Sequence, residues 1–218
     1  NIDPTLIEPA VSDKTRAILC VHQMGMPCDL NALLTISKKH NLPLIEDAAC
    51  AIGSEINMGG KWEKIGRPHG DIACFSFHPR KVITTGDGGM LTTSNPEYDQ
   101  QFRLLRQHAM SVPDTVRHGS KKVVFESYPE LGYNYRMTDI QAAMGVEQMK
   151  KLPWIVEQRL ELAAAYREQL ADVPGITLPA EPDYCRSNWQ SFCVRLDEKI
   201  DQFEVMQQLL DQGIASRR

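Results

Sequence analysis

The chain has no long apolar run, no paired-cysteine spacing, no excess of positive charge and no internal repeat. Each absence removes a class of protein. Without an apolar stretch near the ~20 residues needed to cross a bilayer, a transmembrane helix is excluded. With 24 Lys and Arg against 28 Asp and Glu, the net charge is −4, so nothing draws the chain as a whole to a nucleic-acid polymer or an anionic membrane. A phosphate-bearing small molecule stays possible, because it needs only a local site. The six cysteines, Cys20, Cys28, Cys50, Cys74, Cys185 and Cys193, lack C-x-x-C spacing, and several lie inside apolar runs such as AILCV and DIACFSF. They read as reduced core residues of a cytoplasmic protein. Aromatics are sparse at 7%, yet 42% hydrophobic and 24% charged residues are ordinary for a globular chain and exclude disorder or a collagenous fibre. At 218 residues the chain can bury a core without disulfide or metal. It opens on Asn1 rather than Met and has no charged leader, so the expectation is a segment from inside a longer protein.

What is present is an alternation of strands and helices. TRAILCVH, residues 15–22, is an apolar, β-branched run. Asp29 then caps DLNALLTISKKH, in which Leu30, Leu33, Leu34 and Ser37 keep helical spacing. With LPLIEDA this makes a βαβ unit, whose natural partner is a parallel sheet. DIACFSFH, 71–78, reads as a strand buried on both faces, GDGG at 86–89 as a tight turn into MLTTS, and Glu97 to His108 as a helix. From Ser111 to Glu130 the chain is polar and without period, an exposed excursion. Thr138 and Gln141 form a capping box for a helix that Pro153 stops, and Trp154 opens a longer one with Ile155, Arg159, Leu162, Tyr166 and Leu170 on one face. WQSFCVRL then reads as a strand, and DQFEVMQQLLDQ as a helix ended by Gly213. The expected organisation is a large α/β domain over 1–152, a connecting helix over 153–174 and an incomplete small α/β domain over 175–218.

Two side chains carry chemistry as a pair. Asp47 closes a hydrophobic strand, and carboxyl ends of parallel strands are where α/β sheets bind ligands. Lys81 follows shortly after the strand that ends in Ser76. Alone, Asp47 could cap a turn and Lys81 could be solvated. Together they supply what one cofactor requires, a carboxylate to keep a pyridinium nitrogen protonated and an amine to react with an aldehyde. That cofactor is pyridoxal 5'-phosphate, and the Ser76 hydroxyl would suit its phosphate.

The segments VHQMGMPCDL, LPLIEDAACAIGSE, DIACFSFHPRKVITTGDGGMLTT and LGYNYRMTDIQAAMGVEQMKKL resemble, in order, the motifs of the DegT/DnrJ/StrS family of sugar aminotransferases. The resemblance implies a type I aminotransferase fold, with a mixed, mostly parallel sheet between helices. It also implies a homodimer with shared active sites, and transfer of an amino group, usually from glutamate, to a nucleotide-linked keto sugar. By position it makes Lys81 the cofactor-bearing lysine, Asp47 the partner of the ring nitrogen, Ser76 a phosphate ligand, and Asn134 in GYNYR a phosphate contact from the other subunit. Lysine at 81 argues against the dehydratase branch, which has histidine there. Cys50 stands on the cofactor face where the family commonly has glutamine or histidine. The family's own phosphate loop and ring-stacking aromatic would precede Asn1, and the rest of its small domain would follow Arg218.

Other clusters have plainer readings. Cys20, His22 and Cys28 could be imagined around a metal, but core thiols with a histidine at the edge of the site are the better reading, and no metal is expected. His69, His78, His108 and His118 accompany no nucleophile motif and read as surface or hydrogen-bonded residues. The basic stretch Arg117 to Lys122 lacks interleaved aromatics and reads as a solvated loop, with a weakly implied role in receiving the nucleotide sugar. The reading from another class is a non-catalytic, ligand-sensing relative or an inactive fragment.

Overall fold

The computed structural model describes residues 1–112 and 114–218, without the side chains of Asp114, Thr115 and His118; the expectation for His118 therefore lies outside the described residues. In chain order the elements are β1 (Ile18–Val21), α1 (Leu30–His40), β2 (Leu44–Asp47), β3 (Glu55–Met58), β4 (Lys61–Lys64), β5 (Ile72–Ser76) and β6 (Gly89–Thr92), then α2 (Pro96–Leu105), α3 (Asp114–Gly119) and α4 (Asp139–Leu170), and finally β7 (Ile176–Thr177), β8 (Cys185–Arg186), β9 (Arg195–Leu196) and α5 (Gln202–Asp211).

The expected βαβ unit forms. β1, β2 and β5 pair in parallel and β6 adds antiparallel to β5, giving the order β1-β2-β5-β6. Asp29 caps α1 by accepting the Ala32 N–H at 3.1 Å, and the helix ends where Asn41 turns left-handed at φ 51°. Lys38, Lys39 and His40 in its last turn suit the helix dipole. Its Leu30, Leu33 and Ile36 pack with Ile18, Cys20 and Leu44 of the sheet. Full burial of Leu30, Leu33 and Leu44 contributes about 1.5–3 kcal/mol each. A second cluster, Phe77, Val82 and Ile83, fixes the loop after β5 against Leu152 and Ile155 of α4.

Several elements differ from expectation. Pro153 does not stop a helix; α4 runs unbroken through it. Proline removes the N–H that would reach the Met149 carbonyl and crowds that carbonyl, but both residues are solvent-exposed, so the oxygen can tilt outward and bond water. The face expected on this helix is only partly used. Ile155 packs on the second cluster, Arg159 and Tyr166 meet the 189–192 segment, and Leu162 stays exposed, whereas Ala163 is the buried residue. The run WQSFCVRL is a strand only at Arg195–Leu196, because Trp189 takes φ 50°, which breaks extension. The excursion after Ser111 contains the short α3. EINM and KWEK form a hairpin about Gly59 and Gly60, both at positive φ, and β8 joins its open side. Cys193 is exposed rather than in the core, while Cys50 and Cys74 are half-buried. The Gly213 stop is as expected: Gly213 lies at φ 77° and Ile214 N–H reaches the Leu209 carbonyl at 2.8 Å.

Candidate active site

The carboxyl ends of β1, β2 and β5 lie side by side, with Val21 opposite Asp47 and Asp47 opposite Cys74. The ladder continues past the strands, as His22 N–H donates to the Asp47 carbonyl and Ala48 N–H to the Cys74 carbonyl. This fixes the Asp47 backbone on both sides. One oxygen of its half-buried carboxylate accepts the Ala49 N–H at 3.0 Å, and among the described residues the other has no partner. Burial pushes the neighbouring Cys74 thiol up from its ordinary pKa, and the carboxylates of Asp47 and Glu46 push it further, so it stays protonated beside Asp47.

Ser76 ends β5 and its Oγ accepts the His78 N–H at 3.3 Å, which turns the chain and leaves the hydroxyl proton free to donate. Lys81 follows on that turn, with its N–H bonded to the His78 carbonyl at 2.9 Å. Its Nζ lies 3.1 Å from Cys50 Sγ, and among the described residues no carboxylate pairs with it. The glycine turn behind has a steric reason. A Cβ on Gly88, at φ 151°, would lie 2.6 Å from Thr85 Oγ1, and one on Gly89 would lie 2.7 Å from the Phe75 carbonyl oxygen. The Asp87 carbonyl in that turn accepts from Gln141 Nε2 of α4 at 3.1 Å.

The chemistry of this donor set fits pyridoxal phosphate: an unpaired amine on Lys81, a carboxylate oxygen available on Asp47, and a hydroxyl on Ser76. Of the expected residues, Lys81 and Cys50 meet by direct contact, and Asp47 and Ser76 close the adjacent strands β2 and β5. Asn134 does not join them. Its side chain is exposed, on a segment docked to the end of α2 by the Tyr133 N–H to Leu105 O and Tyr135 N–H to Arg106 O bonds.

Two residues that the sequence reading passes over bear on this site. Asn188 is wholly buried, and its Nδ2 donates to the carbonyls of both Cys50 and Ile52 at 2.8 Å. Gln190 donates from Nε2 to the Arg80 carbonyl at 2.8 Å. They are separated by one residue, which on a strand would also place them together, so alternation could not distinguish them from an ordinary polar face.

His22, which follows β1, is fully buried. Its ligand atoms and those of Cys20 and Cys28 lie within 4.8 Å of one another. Nδ1 already accepts the Cys28 N–H at 3.0 Å, and Nε2 donates to Glu46 Oε2 at 3.1 Å. No ring lone pair is left for a cation. The trio is a bonded core that ties β1 to β2, and Glu46 continues it to the Gly70 N–H at 2.8 Å. His69 bonds Glu63, and exposed His78 accepts the Arg80 N–H. Arg117, in the basic stretch, pairs with Glu126 at 3.2 Å.

A profile of the DegT/DnrJ/EryC1/StrS aminotransferase family matches residues 1–218. Over 199 residues the chain is 36% identical to the spore coat polysaccharide biosynthesis protein SpsC of Bacillus subtilis, covering 91% of this chain and 50% of SpsC. Its structure is similar to DesI, solved in the presence of its TDP-sugar product, with TM-score 0.83, 30% identity, and coverage of 99% of this chain and 52% of DesI. It is also similar to Spr1654 of Streptococcus pneumoniae in a PLP form, with TM-score 0.85, 26% identity, and coverage of 99% and 57%. The chain spans about half the length of the curated relatives it matches. The mixed, mostly parallel α/β fold expected from sequence is therefore that of solved aminotransferases over essentially the whole chain.

Proposed function

Because the chain belongs to the DegT/DnrJ/EryC1/StrS aminotransferase family, we propose that its protein uses pyridoxal phosphate to transfer an amino group, from glutamate, to a keto sugar carried on a nucleotide. The observation that carries this reading is the Lys81 amine, unpaired by any carboxylate among the described residues, in a loop behind a strand whose neighbour ends in Asp47. The TDP-sugar product present with DesI supports a nucleotide-linked substrate, and SpsC supports a place in making cell-surface polysaccharide or related sugars.

Pyridoxal phosphate, when bound, supplies an aldehyde that condenses with primary amines and a ring that draws electron density from an adjacent carbon. Lys81 would hold it through Nζ and, once released, carry a proton at Nζ between substrate carbon and cofactor carbon. Asp47 would hold a proton on the ring nitrogen by opposing its loss electrostatically. Ser76 Oγ–H would donate to the phosphate, and Cys50 would border the ring. Lysine at 81 keeps the reading with amino transfer rather than dehydration. The protein would act in the cytoplasm as a homodimer sharing its sites, with 1–152 in the cofactor domain, 153–174 connecting and 175–218 opening a small domain. No helix among the described residues is long and apolar enough to cross a membrane.

Borohydride reduction of the full-length protein loaded with pyridoxal phosphate, followed by peptide mapping, tests the assignment. The label is expected on Lys81, and Lys81→Ala is expected to abolish turnover. A label on another lysine refutes the residue, and absence of any visible absorbance band on loading favours a non-catalytic, ligand-sensing relative.

A further inference from the structure

The peptide unit between Arg80 and Lys81 is held at both of its polar groups. Its N–H donates to the His78 carbonyl at 2.9 Å, and its C=O accepts Gln190 Nε2 at 2.8 Å. Because a peptide unit is planar, pinning both groups fixes the plane of this unit and with it the place of the Lys81 Cα, from which the side chain departs. On the facing loop the Cys50 carbonyl accepts Asn188 Nδ2 at 2.8 Å. The two residues whose side chains meet at 3.1 Å, Lys81 and Cys50, are thus each anchored through the backbone by a side chain from one short segment more than a hundred positions away.

That segment is itself rigid. Asn188 Oδ1 accepts the Gln190 N–H at 2.8 Å, and Asn188 N–H donates to Ser54 Oγ at 3.0 Å. Between them Trp189 takes the left-handed φ of 50°, a conformation a bulky residue adopts only when its surroundings impose it. Here they do: Trp189 is buried, packs on Phe192 with centroids 5.6 Å apart, lies under the Arg167 guanidinium at 4.6 Å, and offers its carbonyl to Arg159 at 3.0 Å. Gly25 makes room, since a Cβ there would lie 2.0 Å from Asn188 Oδ1. Gln190 also buries an Oε1 with no partner among the described residues, a cost that a residue selected for packing alone would avoid.

We propose that Gln190, seated by Asn188, is a positioning residue for Lys81: it fixes the Arg80–Lys81 peptide so that the Lys81 amine is held beside Cys50. The functional meaning rests on Lys81 being the cofactor-bearing amine, but the positioning itself can be read without any cofactor.

The test is acetylation of the cofactor-free chain with an N-hydroxysuccinimide ester, with lysine modification quantified by peptide mass spectrometry. In Gln190→Leu, modification of Lys81 relative to Lys14 is expected to rise about threefold or more, because the loop samples more open positions. The melting temperature and the other lysines should change little. Gln190→Met, an unbranched substitute that also lacks a donor, repeats the measurement should Leu misfold. A Lys81-to-Lys14 ratio unchanged from wild type overturns the proposal, as does global unfolding of both variants, which would make Gln190 structural. In the full-length protein with pyridoxal phosphate and nucleotide sugar, kcat is expected to fall about ten- to a hundredfold with KM for the sugar unchanged. A raised Lys81 ratio without any turnover in the wild type would leave the positioning standing and refute the proposed activity instead.

Discussion

Asp47 shows how far one residue can be read from sequence and where structure must take over. Its place at the end of LIED is a matter of local pattern, and the pairing of β2 with β1 and β5 bears it out. The places of Ser76 and Lys81 were legible for the same reason, since Ser76 ends β5 and Lys81 follows in the loop behind it. The Lys81–Cys50 contact and the anchors from Asn188 and Gln190 were not, because they join positions 31 and more than a hundred residues apart. The free oxygen of Asp47 carries a prediction. Asp47→Asn keeps an acceptor for the Ala49 N–H, so stability should change by less than about 1 kcal/mol in a denaturant melt. A neutral amide cannot favour a proton on a ring nitrogen, so the single-turnover rate of the full-length protein should fall about 10²-fold or more. A rate near that of the wild type would reduce Asp47 to a turn-capping role.

Among the elements, α4 joins the site to the rest of the chain. The Thr138–Gln141 capping box was legible from four letters, and the structure contains both of its reciprocal bonds. What the letters could not convey is that the helix continues through Pro153, because only the exposure of the freed Met149 carbonyl makes that tolerable. Gln141 has a further task, since its Nε2 donates to the Asp87 carbonyl in the glycine turn behind Lys81. Thr138→Ala should therefore cost about 1 kcal/mol of stability, measured by urea denaturation. It should also raise hydrogen exchange at Gly86 and Gly88, which a loss confined to the helix end would leave unchanged.

For the whole molecule, the expectation is that the site is completed by a second copy. Asn134 is exposed, has no bond among the described residues to Asp47, Cys50, Ser76 or Lys81, and is flanked by exposed Tyr133 and Tyr135, whose rings stack at 5.1 Å. If it serves the partner's site, mixing full-length Lys81→Ala with Asn134→Ala subunits gathers both lesions into one site of each hybrid dimer and frees the other. Activity should return toward half of the wild-type value per hybrid. Mixing that restores nothing, after subunit exchange has been verified by mass, would assign Asn134 to its own subunit or to none.

Among the described residues the order β1-β2-β5-β6 leaves β1 and β6 with one strand neighbour each. The sequences there, ILCV in β1 and GMLT in β6, contain no charge and no proline, and Leu19, Met90 and Leu91 are exposed. Lysines, prolines and bulges are the devices by which proteins discourage such flanks from recruiting strands of other chains, and neither flank has one. For the 218-residue chain in isolation, association through these flanks is expected to grow with concentration, as light scattering would show. A single lysine in place of Leu19 or Leu91 is the economical way to keep it dispersed.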